Sequence, residues 1–452
     1  MTAPPRGPDA HVAAPLVTEA DTRLLLDLLR LPTAGPLETG GAGPRPELWA
    51  AQRRYAEAAA PLGFTVPHHA PTRPEDIEAD GVPLPVREAV AADPGFLACQ
   101  PNLVLRLGDG HPRRRTLMFN VHLDTVSGDE PVGFDGRRFT GRGAVDAKGP
   151  AVALLAGVRA AVIAQPGLGR DIGVLIQAVS GEEGGALGTI GTRPLVERGW
   201  YGRLNVFCEP TGLRYLPRAS ASMTACVRVD GDDAVDDRPE RGHNATVLLG
   251  HLAQYLGGAL PPQAAQGRVC VAGLTTGPLH NRVYGSGELL LNLSYTSERT
   301  GRRLEAATSE ALRAGLAEFR TRFGAIRELA RTAEDAAAIT RLHWRKRGLP
   351  ALAGTAPWAE RLMGAAGAGR WPDEEAAFTC DAIWLAGRED AATVVYGPGS
   401  LEDNHAHARG EFIDVADLEG FAAGVARILL AFRDTCVSGI GLSGIGAKER
   451  SR

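Results

Sequence analysis

The spacing of apolar residues predicts alternating strands and helices along most of the chain. Short apolar runs of strand length are followed by segments in which apolar residues recur every three or four positions. Strands are predicted at residues 102–107, 117–121, 171–179, 204–208, 223–229, 288–296 and 392–396, and helices begin near residues 18, 47, 151, 193, 244, 305, 358 and 415. This alternation favours an α/β fold with a mainly parallel sheet flanked by helices.

The pattern also predicts two domains, which a chain of 452 residues would be expected to have. Near residue 222 the alternation gives way to an α+β pattern, and it resumes after residue 335. We therefore predict a larger, discontinuous domain, residues 17–221 and 336–438, and a smaller inserted domain at 222–335.

Four segments lack a regular apolar pattern. Residues 33–46 are rich in glycine and proline and are expected to form a loop, and residues 66–97 are expected to form an irregular insertion. The tails at 1–16 and 439–452 are expected to be disordered.

Composition and cysteine usage favour a cytoplasmic protein. Apolar residues make up 44% of the chain and charged residues 23%, and 49 basic against 53 acidic residues give a net charge of −4. This balance gives no electrostatic reason to expect nucleic acid or an anionic membrane as partner. No apolar run approaches the length of a membrane span, no signal-peptide pattern is present, and the six scattered cysteines are typical of reduced thiols.

Residues suited to metal binding or proton transfer recur where predicted strands end. They are His122 with Asp124, Asp146 in a glycine-rich turn, the pair Glu182 and Glu183, Glu209, and the late histidines His405 and His407. Each alone has an ordinary explanation, such as a helix-capping aspartate or a solvated acidic turn. Together they lie where α/β sheets bind their ligands, at the carboxyl ends of strands.

Five motifs resemble one known family in order and spacing. They are His-Leu-Asp-Thr-Val, Gly-Arg-Gly-Ala-Val-Asp-Ala-Lys-Gly, Glu-Glu-Gly-Gly, Glu-Pro-Thr and a late His-x-x-x-Glu. The chain is similar over roughly residues 18–435 to the zinc-dependent metallopeptidases and deacylases that include acetylornithine deacetylase, succinyl-diaminopimelate desuccinylase, aminoacylase and carboxypeptidase G.

The resemblance implies a role for each residue. His122 and Glu209 would bind one zinc ion, Glu183 and His407 the other, Asp146 would bridge both, Asp124 would orient His122, and Glu182 would be the general acid/base. Imidazole and carboxylate ligands suit zinc, with Co²⁺ or Mn²⁺ as substitutes. The implied function is metal-dependent hydrolysis of a linear amide, in an N-acyl amino acid or small peptide, by a homodimer formed through the inserted domain.

The second histidine ligand is ambiguous. Counting forward from Gly397-Pro-Gly favours His405, whereas counting back from Glu411 favours His407. His407 is preferred because the segment that ends in Glu411 matches the family more closely.

Two positions depart from the family pattern in the inserted domain. Val235 stands where the family has a histidine that stabilises the oxyanion, and Ser294 where it has an arginine that holds substrate. Asn281 matches a substrate-contacting asparagine. Candidate replacement donors are His243, His280 and Arg282, although His243 is also compatible with a surface position at the start of a helix.

These departures leave a second hypothesis open. The chain could be a catalytically altered member that binds a small amide or serves as a scaffold. Glu182 argues against this, because a scaffold has no chemical need for a base beside metal ligands.

Overall fold

The computed structural model describes residues 15–41, 43–78, 81–265 and 267–438. The tails predicted to be disordered lie outside these ranges, except for residues 15 and 16. The main-chain N–H groups of Leu16 and Val17 donate to the Glu419 carboxylate at 2.9 and 2.8 Å. The start of the described chain is therefore attached to the last helix.

The described residues form the following elements. The strands are β1 (Thr65–Pro71), β2 (Pro101–Leu107), β3 (Thr116–His122), β4 (Gly133–Phe134), β5 (Arg138–Thr140), β6 (Gly173–Val179), β7 (Leu204–Phe207), β8 (Arg214–Tyr215), β9 (Ala221–Asp230), β10 (Ala234–Val235), β11 (Arg268–Thr275), β12 (Arg282–Val283), β13 (Ser286–Tyr295), β14 (Thr340–Lys346), β15 (Gly369–Arg370), β16 (Ala392–Val395) and β17 (Phe412–Asp414). The helices are α1 (Glu19–Arg30), α2 (Pro36–Thr39), α3 (Leu48–Ala59), α4 (Leu84–Ala92), α5 (Gly149–Ala164), α6 (Leu168–Asp171), α7 (Thr192–Glu197), α8 (Ala245–Ala259), α9 (Glu298–Phe323), α10 (Ala330–Ile339), α11 (Pro357–Ala365) and α12 (Val415–Ser438).

The larger sheet has six strands in the order β1-β2-β6-β3-β7-β16. Strands β6, β3, β7 and β16 run parallel to one another, whereas β2 runs antiparallel to β6 and β1 antiparallel to β2. Every residue of β3 and β6 is buried, as expected for parallel strands covered on both faces. The prediction of a mainly parallel α/β sheet is confirmed.

Helix α5 is the most apolar helix that packs on this sheet. The segment Ala144–Ala164 is long and apolar enough to cross a membrane, but 72% of its most apolar window is buried inside the fold. It packs against α12 so closely that a Cβ at Gly157 would lie 2.5 Å from the carbonyl oxygen of Ala422. An all-round apolar surface is therefore what the position of α5 in the core requires.

The inserted domain is built on a second, antiparallel sheet in the order β11-β13-β9-β14. Alternate residues of β13, namely Leu289, Leu291 and Leu293, are buried in a core shared with α8 and α9. Strand β14 belongs to this sheet although it follows the predicted boundary at residue 335. The sheet thus continues to Lys346 before the chain returns to the catalytic domain.

The segment 66–97 is more regular than its composition predicts. It contains most of β1, which pairs with β2, and the helix α4. Its prolines are tolerated because β1 is an edge strand, where a missing N–H need not break a ladder. The loop predicted at 33–46 likewise contains one helical turn, α2.

Candidate metal centre

The strands of the larger sheet deliver the candidate ligands to one edge. The sheet positions them as follows: His122 ends β3, Glu182 and Glu183 follow β6, Glu209 follows β7, and His407 lies in the loop after β16. Asp146 joins them from the turn before α5. Carboxyl ends of parallel strands meet at the same edge, which explains why residues far apart in sequence converge here.

The first group of candidate ligands surrounds the His122 ring. Its Nε2 lies 2.8 Å from Asp146 Oδ1 and 3.9 Å from Glu209 Oε2. All three residues are buried, and their ligand atoms lie within 4.8 Å of one another. One cation could contact all three.

The second group shares Asp146 with the first. His407 Nε2 lies 3.1 Å from Asp146 Oδ2 and 3.0 Å from Glu183 Oε1. Asp146 therefore presents one oxygen to each group, which is the position that a bridging carboxylate needs. These are the two sets that the resemblance implies.

The structure also separates the two late histidines. His407 belongs to the second group, whereas His405 packs edge-on against Phe412, with ring centroids 5.8 Å apart. Among the described residues, His405 belongs to no group of metal-type side chains. The geometry thus favours His407 over His405 as a ligand.

His122 is oriented through its other ring nitrogen. Its Nδ1 donates to the main-chain carbonyl of Asp124 at 2.9 Å, whereas the Asp124 carboxylate lies farther away, at 3.7 Å. That carboxylate instead accepts from the Glu183 N–H at 3.0 Å. Asp124 therefore fixes the tautomer of His122 by its carbonyl and the Glu183 loop by its side chain.

Glu411 holds the turn that carries Asp146. Its buried carboxylate accepts from the N–H groups of Val145 and Asp146 at 3.1 and 3.3 Å and pairs with Arg142 at 2.8 Å. The peptide bond between Asp146 and Ala147 is cis. The glutamate of the late His-x-x-x-Glu motif therefore serves to position Asp146.

The electrostatics of the cluster favour cations. Burial, together with the Asp146 charge, raises the pKa of Glu183 to about 7 and that of Glu209 to about 8. Burial and the Glu183 charge raise the pKa of Glu182 well above its usual value. Hydrogen bonds to Asp146 and Glu183 raise the pKa of His407 to about 10. Crowded, desolvated carboxylates gain most from a nearby positive charge, and imidazole with carboxylate is a donor set that zinc accepts.

No sequence motif identifies Asp381, a further buried carboxylate that interacts electrostatically with the cluster. Its Oδ2 accepts from the Thr192 hydroxyl at 2.5 Å, and its Oδ1 has no hydrogen-bond partner among the described residues. Burial raises its pKa to about 7, and it interacts electrostatically with His122 and Glu183. A lone aspartate after Cys380 forms no motif that could have identified it.

The predicted substrate-contacting residues lie together elsewhere in the inserted domain. Asn281 and Arg282 line a surface cleft of about 640 Å³ with Val235, whose side chain is 61% exposed. Val235 pairs with Arg282 across β10 and β12, and His280 is exposed just before them. Every residue that lines the cleft belongs to the inserted domain. None of the candidate metal ligands lines it.

His243 is unsuited to replace the missing oxyanion donor. It lies just before α8, as predicted, but it is buried rather than on the surface. Its Nδ1 accepts from the Asp232 N–H at 2.8 Å, and its Nε2 is 3.1 Å from Asp335. Both ring nitrogens are therefore engaged within the inserted domain.

The fold is similar to the folds of solved metallopeptidases. A carboxypeptidase of the M20 family from Sulfolobus solfataricus has a TM-score of 0.64 at 12% identity, covering 92% of this chain and 100% of that one. A dinuclear metal-binding M20 peptidase from Bacillus subtilis has a TM-score of 0.56 at 11% identity, covering 92% and 98%. At these identities the likeness shows a shared fold.

Sequence relatives narrow the comparison. A protein from Aeropyrum pernix that carries the name LysW-lysine/LysW-ornithine hydrolase is 35% identical over 181 residues. The match covers 38% of this chain and 47% of the relative, so the chain spans about half the length of the curated relative it matches. The model of peptidase family M20/M25/M40 matches residues 118–431, which include every candidate metal ligand. The chain therefore belongs to the peptidase family M20/M25/M40, a family of amide-bond hydrolases.

Proposed function

We propose that the chain is a two-zinc hydrolase that cleaves the amide bond of an N-acyl amino acid or a small peptide. The observation that carries this proposal is the pair of ligand groups that share Asp146. His122 and Glu209 would hold one ion with Asp146, and Glu183 and His407 the other. Bound there, two zinc ions would polarise the scissile carbonyl and lower the pKa of the attacking water.

Glu182 is the residue suited to move the proton. Its carboxylate lies within 4.8 Å of ligand atoms of His122 and Glu183, so it faces both ligand groups. Its pKa is raised by burial and by Glu183, which makes it a stronger base than an exposed glutamate. Glu182 would take the proton of the attacking water and give it to the leaving amine.

The names of two similar proteins support a free amino acid as the product. The name of the Aeropyrum pernix protein describes hydrolysis of LysW-lysine and LysW-ornithine, and the Sulfolobus solfataricus neighbour is described as a carboxypeptidase. Both names are compatible with an amide whose amine side is an amino acid. This supports deacylase or carboxypeptidase chemistry here.

A second candidate function is binding of a small amide without efficient hydrolysis. The observation that favours it is the exposed Val235, which offers no hydrogen-bond donor at the position where the resemblance expects a histidine. An oxyanion donor of that kind contributes roughly 10²–10³ in rate. The base Glu182 beside the ligand groups favours the hydrolase.

The remaining parts of the proposal concern assembly and location. We propose a cytoplasmic homodimer formed through the inserted domain, with no nucleic-acid or membrane partner. The net charge of −4 supports the absence of a polyanionic partner. The buried cysteines Cys99, Cys208, Cys226, Cys380 and Cys436 are free, which suits a reducing compartment.

Replacing Glu182 by alanine tests the proposed function. The Glu182→Ala variant should lose at least about a hundredfold in kcat, because general acid–base catalysis contributes on that scale, yet retain about two metal ions per chain. Metal content would be measured by mass spectrometry, and hydrolysis with a panel of N-acetyl amino acids and dipeptides. The exposed residue Glu88, changed to alanine, is the matched control.

Two results would contradict the proposal. One is a wild-type protein that binds no metal after incubation with zinc, cobalt or manganese. The other is a metal-loaded protein that binds the panel compounds but hydrolyses none of them, which would favour the second candidate function.

A further inference from the structure

Lys346 is a cationic residue that the metal centre does not account for. It is the last residue of β14 and lies opposite Thr224 of β9, after an irregularity in pairing that follows Trp344. Residues directly opposite on paired strands share a face of the sheet. Ala225 and Leu293 point into the core that the sheet shares with α8 and α9, so Thr224 and Lys346 lie on the opposite face of the sheet.

The ammonium group of Lys346 lies within electrostatic range of the general base Glu182 and forms no ion pair with any described residue. Burial lowers its pKa to about 8, and the charge of Glu182 is what acts against that shift. Within the described ranges no carboxylate lies close enough to form an ion pair with it. The next residue differs, because Arg347 pairs with Glu305 at 2.6 Å.

Lys346 lies near Ser294, the position at which the family resemblance leads us to expect a substrate-binding arginine. Ser294 lies opposite Ser222 on β9, and Thr224, the partner of Lys346, is the next residue along β9 on the same face. Ser294 itself is occupied, since its hydroxyl accepts from the Arg268 N–H at 3.0 Å. A cation is therefore present on this face, but it comes from β14 instead of β13.

A desolvated, unpaired ammonium is unfavourable unless an anion reaches it, and a substrate can supply one. We propose that Lys346 binds the free carboxylate of the substrate beside the scissile amide. This inference rests on the proposed function and makes it more specific. The substrates are N-acyl amino acids or C-terminal peptide bonds, and neutral amides are poor substrates.

The test compares charged and neutral substrates. For the wild type and for Lys346→Met, kcat and KM would be measured on N-acetyl amino acids and on the matching carboxamides, with zinc present. Lys346→Met should lower kcat/KM on the carboxylates by about tenfold to a hundredfold, mainly through KM, because a charge-assisted hydrogen bond is lost. The carboxamides should be unaffected, and Lys346→Arg should restore part of the loss.

Arg347→Met is the matched control, since it removes a positive charge one residue away that already has a partner in Glu305. It should leave both substrate series unchanged. An equal effect of Lys346→Met on carboxylates and carboxamides would overturn the inference, and the proposed function would still stand.

A binding measurement distinguishes failure of this inference from failure of the proposed function. Calorimetry on zinc-loaded Glu182→Ala should show that N-acetyl amino acids bind at least about tenfold more tightly than their carboxamides, with the preference lost when Lys346→Met is added. This comparison needs no turnover, so it decides the role of Lys346 even if the wild type hydrolyses nothing. The absence of any preference would overturn the inference.

Discussion

Asp146 is the residue that both halves of the candidate metal centre share. Its two oxygens face His122 and His407 at 2.8 and 3.1 Å. Although burial acts in the opposite direction, hydrogen bonds from these two histidines hold its pKa well below the usual value. A permanently ionised carboxylate with one oxygen for each group is what a bridging ligand requires.

The two late histidines should differ sharply when each is replaced by alanine. His407→Ala removes a group that contacts both Asp146 and Glu183, so we expect loss of one of two bound zinc ions and of hydrolysis. His405→Ala removes only a ring packed on Phe412 and should retain both ions. Zinc per chain, measured after dialysis against metal-free buffer, checks the difference.

Each variant serves as the control for the other, since both remove one imidazole from the same loop and both positions have a positive φ, 55° and 61°. Loss of zinc in His405→Ala with retention in His407→Ala would reverse the assignment of the ligand.

Several elements meet beneath the metal centre through buried polar side chains. Asn120, two residues before His122 on β3, donates to Gln177 of β6 at 2.7 Å and to Thr192 of α7 at 2.9 Å. Thr192 in turn donates to Asp381. Two strands and a helix are thus tied together at the level of the ligands, and each hydrogen bond is shielded from water.

Thr192→Val should destabilise the protein by about 1–3 kcal/mol, because Asp381 is left as a buried carboxylate without a donor. Its pKa is already raised to about 7. The folded state therefore retains a proton that the unfolded chain loses, and stability falls as pH rises towards 7. Without the hydroxyl the pKa rises further, so the loss of stability should be larger at pH 8 than at pH 6.

Guanidinium unfolding at both pH values measures this difference. Thr308→Val is the matched control, since Thr308 is equally buried but its hydroxyl donates to the Leu304 carbonyl within α9. If Thr192→Val lost no more stability than this control, the hydrogen bond to Asp381 would not contribute to the stability of the fold.

The elements that sequence patterns predict are those whose burial is reflected in composition. Strands β3 and β6 are buried on both faces and consist mainly of apolar residues, so the apolar pattern predicts them. The pattern does not predict strand β14, because its sequence, Thr-Arg-Leu-His-Trp-Arg-Lys, contains three basic residues. It does not predict strand β1, because prolines interrupt this edge strand.

The same contrast holds within the site. The five candidate ligands could be predicted because they belong to motifs at strand ends. Asp381 and Lys346 could not, since each comes close to Glu182 only through the tertiary fold. A single charged residue outside a motif carries no sequence signal of what lies beside it.

At the scale of the whole molecule, the inserted sheet ends in an edge strand to which no other described strand is paired. Strand β11 is terminal in the order β11-β13-β9-β14, and it carries the exposed apolar residues Val271 and Leu274, which are 41% and 39% exposed. The opposite edge, β14, is contacted by α4 of the catalytic domain. An open strand with apolar side chains is a surface on which a second chain can add a strand.

We therefore expect the proposed homodimer to form by pairing of β11 with β11 of a second copy about a two-fold axis. The double variant Val271→Glu, Leu274→Glu should be monomeric, because the axis brings like charges together across the interface. Light scattering after size-exclusion chromatography measures the mass. Val66→Glu, at an exposed apolar residue of the edge strand β1, is the control and should remain dimeric. A monomeric wild type, or dissociation caused by Val66→Glu alone, would contradict this arrangement. Because Val235 has no donor to offer a partner subunit, the monomeric variant should retain most of its hydrolytic activity.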